Sequence, residues 1–257
     1  MTDTDHARQL YLELIKRSLT GMIYEDKPIW VRPMDGHYDR NPKGYTRKWR
    51  EWGCDWPSQA HSMIGLRRMN NIQACVERVL ADNIPGDLIE TGVYRGGAAI
   101  FMRALLKAYQ VRERVVWVAD SFEGLPKPIL DQFPQDAQFE HTAGLLAVSL
   151  EQVKHNFQVY DLLDEQVRFL KGWFHDTLPT APIERLAVLR LDGDLYQSTM
   201  ETLTSLYPKL SPGGYVIFDD YLAISSCREA VHDYRAQHAI TEEIIAIDND
   251  AVYWRKT

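Results

Sequence analysis

The chain has 257 residues, 45% of them apolar and 25% charged, with a net charge of −7. This length supports a substantial core in one large domain, and the acidic balance argues against a nucleic-acid binder, which would carry a basic face. Cys54, Cys75 and Cys227 are odd in number and far apart, and no apolar run reaches the ~18 residues of a membrane span. These features point to a reducing cytoplasm without a signal peptide or membrane segment.

Residues 6–23 place Tyr11, Leu14, Ile15, Leu19 and Met22 on one helical stripe. The stretch 25–56 has no clear period: prolines and glycines break it, and Trp30, Trp49, Trp52 and Trp56 are interleaved with arginines. It reads either as a loop-rich flap over an active site or as a surface excursion packed by its own aromatics. Helical spacing returns over 57–82, with Ser58 placed to cap the start and Met63, Leu66, Met69, Ile72, Val76 and Leu80 recurring. From 83 onward strands and helices alternate. DLIETGV (87–93) precedes an apolar helix at 97–109. VVWVADSF (115–122) leads into a polar loop near 124–142 and a helix near 145–160. QVRFLKGW (166–173) and LAVLRLDGD (186–194) follow, then a helix near 198–210, GYVIFDDY (214–221) and a helix at 226–238. EEIIAID (242–248) and AVYWRK (251–256) come last. Strands separated by helix-length segments predict an α/β fold with a doubly wound, mostly parallel seven-stranded sheet. Residues 1–82 supply N-terminal helices and a flap or lid; 83–257 supply the core of the same domain. The few residues around Asn249 force a hairpin, so one of the last two strands runs antiparallel.

The ends of these strands carry the chemistry. Asp192 and Asp194 follow one apolar run, and Asp219 and Asp220 follow the next. On parallel neighbours they would crowd several carboxylates together, a repulsion that a hard cation such as magnesium relieves. Taken singly, each pair also fits turn or cap acids. In ETGVYRGG (90–97), Gly92 suits a tight turn, and Gly96 and Gly97 suit close approach by a ligand or a neighbouring element. Asp120 is placed either to accept ribose hydroxyls or to cap a turn. Trp173 or Phe174 is placed either to flank an adenine or to fill the core. His61 and His141 are weaker candidates for substrate contact. In a parallel sheet all these ends lie on one edge, where open α/β folds bind their ligands.

Glycines, an acid, an aromatic and two acid pairs, in that order, resemble the layout of an S-adenosylmethionine-dependent methyltransferase of class I, Rossmann-like in fold. The resemblance is closer in LYLELIKRSL, HSMIGLRRMNNIQACVE, PGDLIETGVYRGGA, VWVADSFEGLP, VRFLKGWFHDTLPTAPIERLAVLRLDGDLYQSTM, LSPGGYVIFDDY and CREAVHDYR. These segments resemble the macrocin O-methyltransferase family, which tailors antibiotics. The resemblance implies a magnesium-dependent O-methyltransferase acting on a sugar hydroxyl of a macrolide or related glycosylated natural product, with no nucleic-acid or membrane partner, and a homo-oligomer. It implies cofactor contacts from Glu90, Thr91, Gly92, Val93, Asp120, Ser121, Gly172 and Trp173. It also implies a metal triad of Asp192, Asp219 and Asp220. Asp192 is the leading base candidate and Asp194 the second. The stretches 25–56 and 126–145 depart from the family pattern, so they are read as lids that leave the acceptor open. A phenolic acceptor is the first alternative. A non-catalytic scaffold is disfavoured by the four acids, and a dehydrogenase by the absence of GxGxxG.

Overall fold

The computed structural model of the chain describes residues 3–32 and 44–257. The N-terminal part runs through α1 (Asp3–Leu19), β1 (Pro28–Val31), α2 (Arg47–Trp52), β2 (Asp55–Pro57) and α3 (Gly65–Ala81). The buried stripe of α1 is Leu12, Ile15, Lys16 and Leu19. Leu14, expected on that stripe, is exposed. The flap is more regular than its composition suggests. Its β1 and β2 pair antiparallel with α2 between them, while its middle, 33–43, lies outside the described residues.

The helix expected from Ser58 starts at Gly65 instead. Residues 58–60 are drawn away by Asp26, whose carboxylate accepts from Ser58 Oγ (2.6 Å), Gln59 N (2.8 Å) and Ala60 N (2.7 Å). Arg95 then takes the carbonyls of Ser58 and Ala60. With those groups bonded elsewhere, a helical turn there has lost its donors and acceptors.

The sheet is built from β3 (Asp87–Thr91), β4 (Val116–Asp120), β5 (Val167–Lys171), β6 (Leu186–Leu191), β7 (Leu210–Phe218), β8 (Ile245–Ala246) and β9 (Val252–Arg255). Their order is β5-β4-β3-β6-β7-β9-β8, and β9 runs antiparallel to both of its neighbours. Successive side chains point to opposite faces. Leu88, Val116, Val118 and Val188 pack with α1, α3 and α4 (Gly97–Ala108). Ile89, Trp117, Ala119 and Leu189 pack with α7 (Tyr196–Leu206) and α8 (Ser225–Gln237). Both faces are covered, which is why the central strands read as unbroken apolar runs. Two shorter helices, α5 (Leu150–Gln158) and α6 (Phe174–Thr177), complete the chain.

Parallel register sets the working edge. Thr91 lies level with Ala119 and Leu191, and Leu191 with Phe218. The residues that follow, Gly92, Asp120, Asp192 and Asp219, therefore emerge in one row.

The flap is anchored by the fully buried Arg50. Its guanidinium donates to both oxygens of Asp55 (2.9 and 2.8 Å) and to the carbonyls of Thr20 and Asp26 (2.6 Å each). Removing one partner of such a pair leaves an uncompensated buried charge. Arg50→Ala should cost about 3–5 kcal/mol in urea unfolding, and the double substitution Arg50→Met, Asp55→Leu should recover part of the loss. Equal midpoints for the wild type and Arg50→Ala would contradict this anchoring role.

Candidate active site

A cavity of about 690 Å³ opens at the carboxyl edge of the sheet. Glu90, Gly92, Val93, Asp120, Ser121, Gly172, Trp173, Asp192, Asp194, Asp219 and Asp220 all line it. Thr91 does not: its side chain is buried, and its Oγ1 donates to the Arg190 carbonyl at 3.4 Å. His61 is on the wall, with Nδ1 3.0 Å from Tyr160 Oη. His141 is exposed and is not part of the lining.

The glycine loop is shaped by neighbouring backbone. Gly92 has φ +82°, and a Cβ there would stand 1.8 Å from the carbonyl oxygen of Asp192. A Cβ on Gly97 would stand 2.4 Å from the carbonyl oxygen of His61. Asp120 accepts from Val93 N and Phe122 N, each at 2.7 Å, so it fastens the loops after β3 and β4 together. Burial raises its pKa, and those amides pull it back. The Tyr94 amide and Ser121 Oγ, 3.4 Å away, also approach it, so of a carboxylate's roughly four lone-pair sites at most one or two are left for a ligand hydroxyl.

The acids after β6 and β7 are not bare. Arg190, fully buried, donates to Glu90 Oε1 (2.6 Å), to Asp192 Oδ2 (2.8 Å) and to Asp219. Arg68 of α3 donates to Asp248 (2.7 Å), to Asp250 (2.6 Å) and to the other oxygen of Asp219. Arg32, at the end of β1, pairs with Asp250. Internal guanidiniums thus supply part of the positive charge that the sequence pattern had called for from a metal. They do not supply all of it. Each of Arg190 and Arg68 serves three carboxylates, and among the described residues Asp194 and Asp220 have no guanidinium partner.

The uncompensated charge shows in the protonation equilibria. Burial pushes Glu90 up to about 8 despite its contact with Arg190, because that single positive charge is shared with Asp192 and Asp219. Burial first, and repulsion from neighbouring acids second, raise Asp192, Asp194 and Asp220. Oxygens of Asp192, Asp219 and Asp220 all lie within 4.8 Å of one another. A hard divalent cation binds oxygen donors of this kind, and its charge answers the excess. The residues therefore fit a bound magnesium ion.

Arg190 is the functional residue that motif reading missed, although a lone arginine inside LAVLRL is itself a signal. A charge in a strand buried on both faces must find partners. Arg68, Asp248 and Asp250 left no such trace, because their role depends on contacts some 150 or more residues apart.

Two further walls close the cavity. The polar loop before α5 contains a 3₁₀ turn, Pro134–Phe139, fastened by the buried Asp136, which accepts from Tyr196 N (2.6 Å) and Gln197 N (3.1 Å) at the start of α7. Pro126, Ile129, Phe139 and Leu146 of this loop line the cavity. Trp30, Arg32 and Trp56 of the flap line it too. Among the described residues, no helix is long and apolar enough to cross a membrane.

Comparison with known proteins identifies the family. The macrocin O-methyltransferase family profile matches residues 8–256. The 8-demethyl-8-(2,3-dimethoxy-alpha-L-rhamnosyl)-tetracenomycin-C 4'-O-methyltransferase of Streptomyces olivaceus is 56% identical over 257 residues, covering 99% of this chain and 95% of that protein. The mycinamicin III 3''-O-methyltransferase of Micromonospora griseorubida is 53% identical over 253 residues, covering 97% of each. The solved structure of the O-methyltransferase NovP superposes with a TM-score of 0.89 at 53% identity, covering 97% of this chain and 99% of that one.

The contact between Gly92 and Asp192 yields a direct test. Side-chain rotation cannot relieve a Cβ that meets backbone, and the positive φ adds strain. Gly92→Ala should lower the melting temperature by several degrees and abolish calorimetric binding of S-adenosylhomocysteine. Gly144→Ala, where the nearest atom is 4.0 Å from the added Cβ, shares the positive φ without the collision and should retain binding.

Proposed function

The chain belongs to the macrocin O-methyltransferase family, and on that premise we propose that it methylates a sugar hydroxyl of a glycosylated natural product. The methyl donor is S-adenosylmethionine, and magnesium is held by Asp192, Asp219 and Asp220. The observation that carries this reading is the under-neutralised acid cluster on the floor of a cavity whose other wall is the glycine loop.

S-adenosylmethionine supplies an electrophilic methyl group on its sulfonium. Asp120 and Ser121 face its ribose, Gly172 and Trp173 its adenine, and Glu90, Gly92 and Val93 its methionine end. Magnesium, when bound, makes the acceptor hydroxyl more acidic and orients it. The protein's own part is alignment of that oxygen behind the methyl group, worth several kcal/mol in orientation alone, together with removal of the proton.

Between the two base candidates the geometry favours Asp194. Asp192 accepts from Arg190, which offsets part of the rise in its pKa that burial and Asp219 cause, and in this proposal its carboxylate is taken by the cation. Asp194 has no guanidinium partner among the described residues, and its pKa is raised toward the neutral range where a general base works best. Arg190 and Arg68 both hold Asp219, so substitution there also breaks a buried ion pair. Asp220 has no such partner and gives the cleaner test.

Asp220→Asn should weaken magnesium binding at least about tenfold and methyl transfer at least as much, with folding retained. Asp194→Asn should lower kcat about 10²–10⁴-fold while magnesium affinity changes little. Calorimetry with magnesium, and methylation of a panel of glycosylated natural products, check both. Full activity of the wild type in chelator would refute the metal role.

A second expectation concerns stability. Glu90, Asp192, Asp194 and Asp220 have folded pKa values raised above the unfolded carboxylate range of about 4. The folded state therefore holds protons that the unfolded chain has released. Without a divalent cation, the stability tied to these groups is intact below about pH 4 and is lost as pH rises toward Glu90's value of about 8. Acids with lowered values, such as Asp26 and Asp164, have made their contribution by about pH 5. His61, lowered by burial, works in the opposite sense, but it is one group against four. Magnesium should raise the melting temperature more at pH 8 than at pH 5. An equal shift at both values would contradict the assignment.

A further inference from the structure

We infer that Trp30 and Trp56 form the platform on which the C–H face of the acceptor's sugar ring lies, with the acid cluster reading its hydroxyls. This rests on the function proposed above and adds where, and by which chemistry, the acceptor is gripped.

The geometry comes from the flap's small sheet. Trp30 of β1 is paired directly with Trp56 of β2, so both side chains leave the same face. The ring centroids are 5.2 Å apart with planes tilted by 44°. Arg32 follows Trp30 by two residues, and its backbone N–H donates to the Cys54 carbonyl at 2.7 Å, which continues the ladder. Alternation puts Arg32 on the face of Trp30. Its guanidinium pairs with Asp250, which is joined through Arg68 to Asp219. The ion pair therefore turns this face toward the acids, and all four residues, Trp30, Trp56, Arg32 and Asp250, line the cavity.

The occupant follows from the two chemistries placed side by side. An aromatic wall binds an apolar surface. The adjacent floor offers the carboxylate of Asp194, which has no guanidinium partner among the described residues, and the oxygens of Asp192 and Asp220 that a bound cation leaves open, acceptors that need several donors. A pyranose has both: a face of C–H groups and a rim of hydroxyls. A phenol would cover the aromatic wall but present one donor to many acceptors and leave the others unsatisfied. A sugar nucleotide would bring a diphosphate into a cavity already rich in negative charge, which is repulsive. A neutral glycoside suits both walls.

Saturation-transfer NMR with methyl α-L-rhamnopyranoside and phenyl α-L-rhamnopyranoside, in the presence of S-adenosylhomocysteine and magnesium, tests this. A rhamnoside is chosen because a relative acts on a rhamnosyl group. Ring C–H protons should receive the strongest transfer in the wild type with both glycosides. Trp30→Ala and Trp56→Ala should each raise the Kd of the methyl glycoside at least about fivefold, the loss of roughly 1 kcal/mol of aromatic contact. Trp30→Phe should restore part of it. Calorimetric affinity for S-adenosylhomocysteine should stay within about twofold, which separates lost sugar contact from general damage. If the alanine variants do not fold, the wild-type proton map and Trp30→Phe still decide. No transfer to either glycoside, transfer confined to the phenyl protons, unchanged Kd in the alanine variants, or a parallel loss of cofactor affinity each overturns the inference. Wild-type methylation of phenols and of no glycoside would instead sink the function on which it rests.

Discussion

The site depends on the buried guanidinium of Arg190. It stands inside an apolar strand between Glu90 on one neighbouring strand and Asp219 on the other, with Asp192 just beyond its own strand end. Without it, acids from three strands would meet in a buried row, a cost of several kcal/mol per unpaired charge. With it, they are held in fixed positions but remain short of charge balance. That remainder defines an opening for a divalent ion and leaves nearby carboxylates avid for protons or hydroxyl donors.

The same electrostatics run outward from the sheet edge. Asp219 is shared with Arg68, Arg68 with Asp250, and Asp250 with Arg32 at the flap. Alternating charges thus link the flap's aromatic face to the acids beneath it. In the loop before α5, Asp136 fastens the 3₁₀ turn to the first amides of α7, the helix that begins two residues after Asp194. Both walls are therefore indexed to the acid cluster and not merely draped over it. Substitutions in either wall can alter acceptor fit while the glycine loop stays in place.

This division suits a family whose members differ in what they methylate. One relative is named for a 4'-hydroxyl on a tetracenomycin rhamnoside and another for a 3''-hydroxyl on a mycinamicin. The strand-end residues must serve one donor molecule and one reaction, so their spacing is constrained. In the reading proposed here the flap and the loop before α5 meet the acceptor.

Some of this was legible in the sequence because it obeys short-range rules. Apolar runs separated by helix-length segments dictated a parallel sheet, and the short link at Asn249 dictated the terminal hairpin. Parallel strands share one carboxyl edge, so the strand-end positions of Asp120, Asp192, Asp219 and Asp220 were enough to gather them on one cavity. Other features were settled only by tertiary contact. Leu12 displaced Leu14 from the buried face of α1 because the packing partner, not the periodicity, chooses the stripe. Asp26 and Arg95 drew 58–60 out of the helix whose spacing they matched. The flap became a two-stranded sheet around Arg50. Above all, the acids proved partly neutralised by Arg68 and Arg190. Charge balance is a sum over neighbours in space, and Arg68 lies 151 residues from Asp219 in the chain. A linear motif records which acids gather at a strand end, but only the folded chain determines how much of their charge is left for a metal.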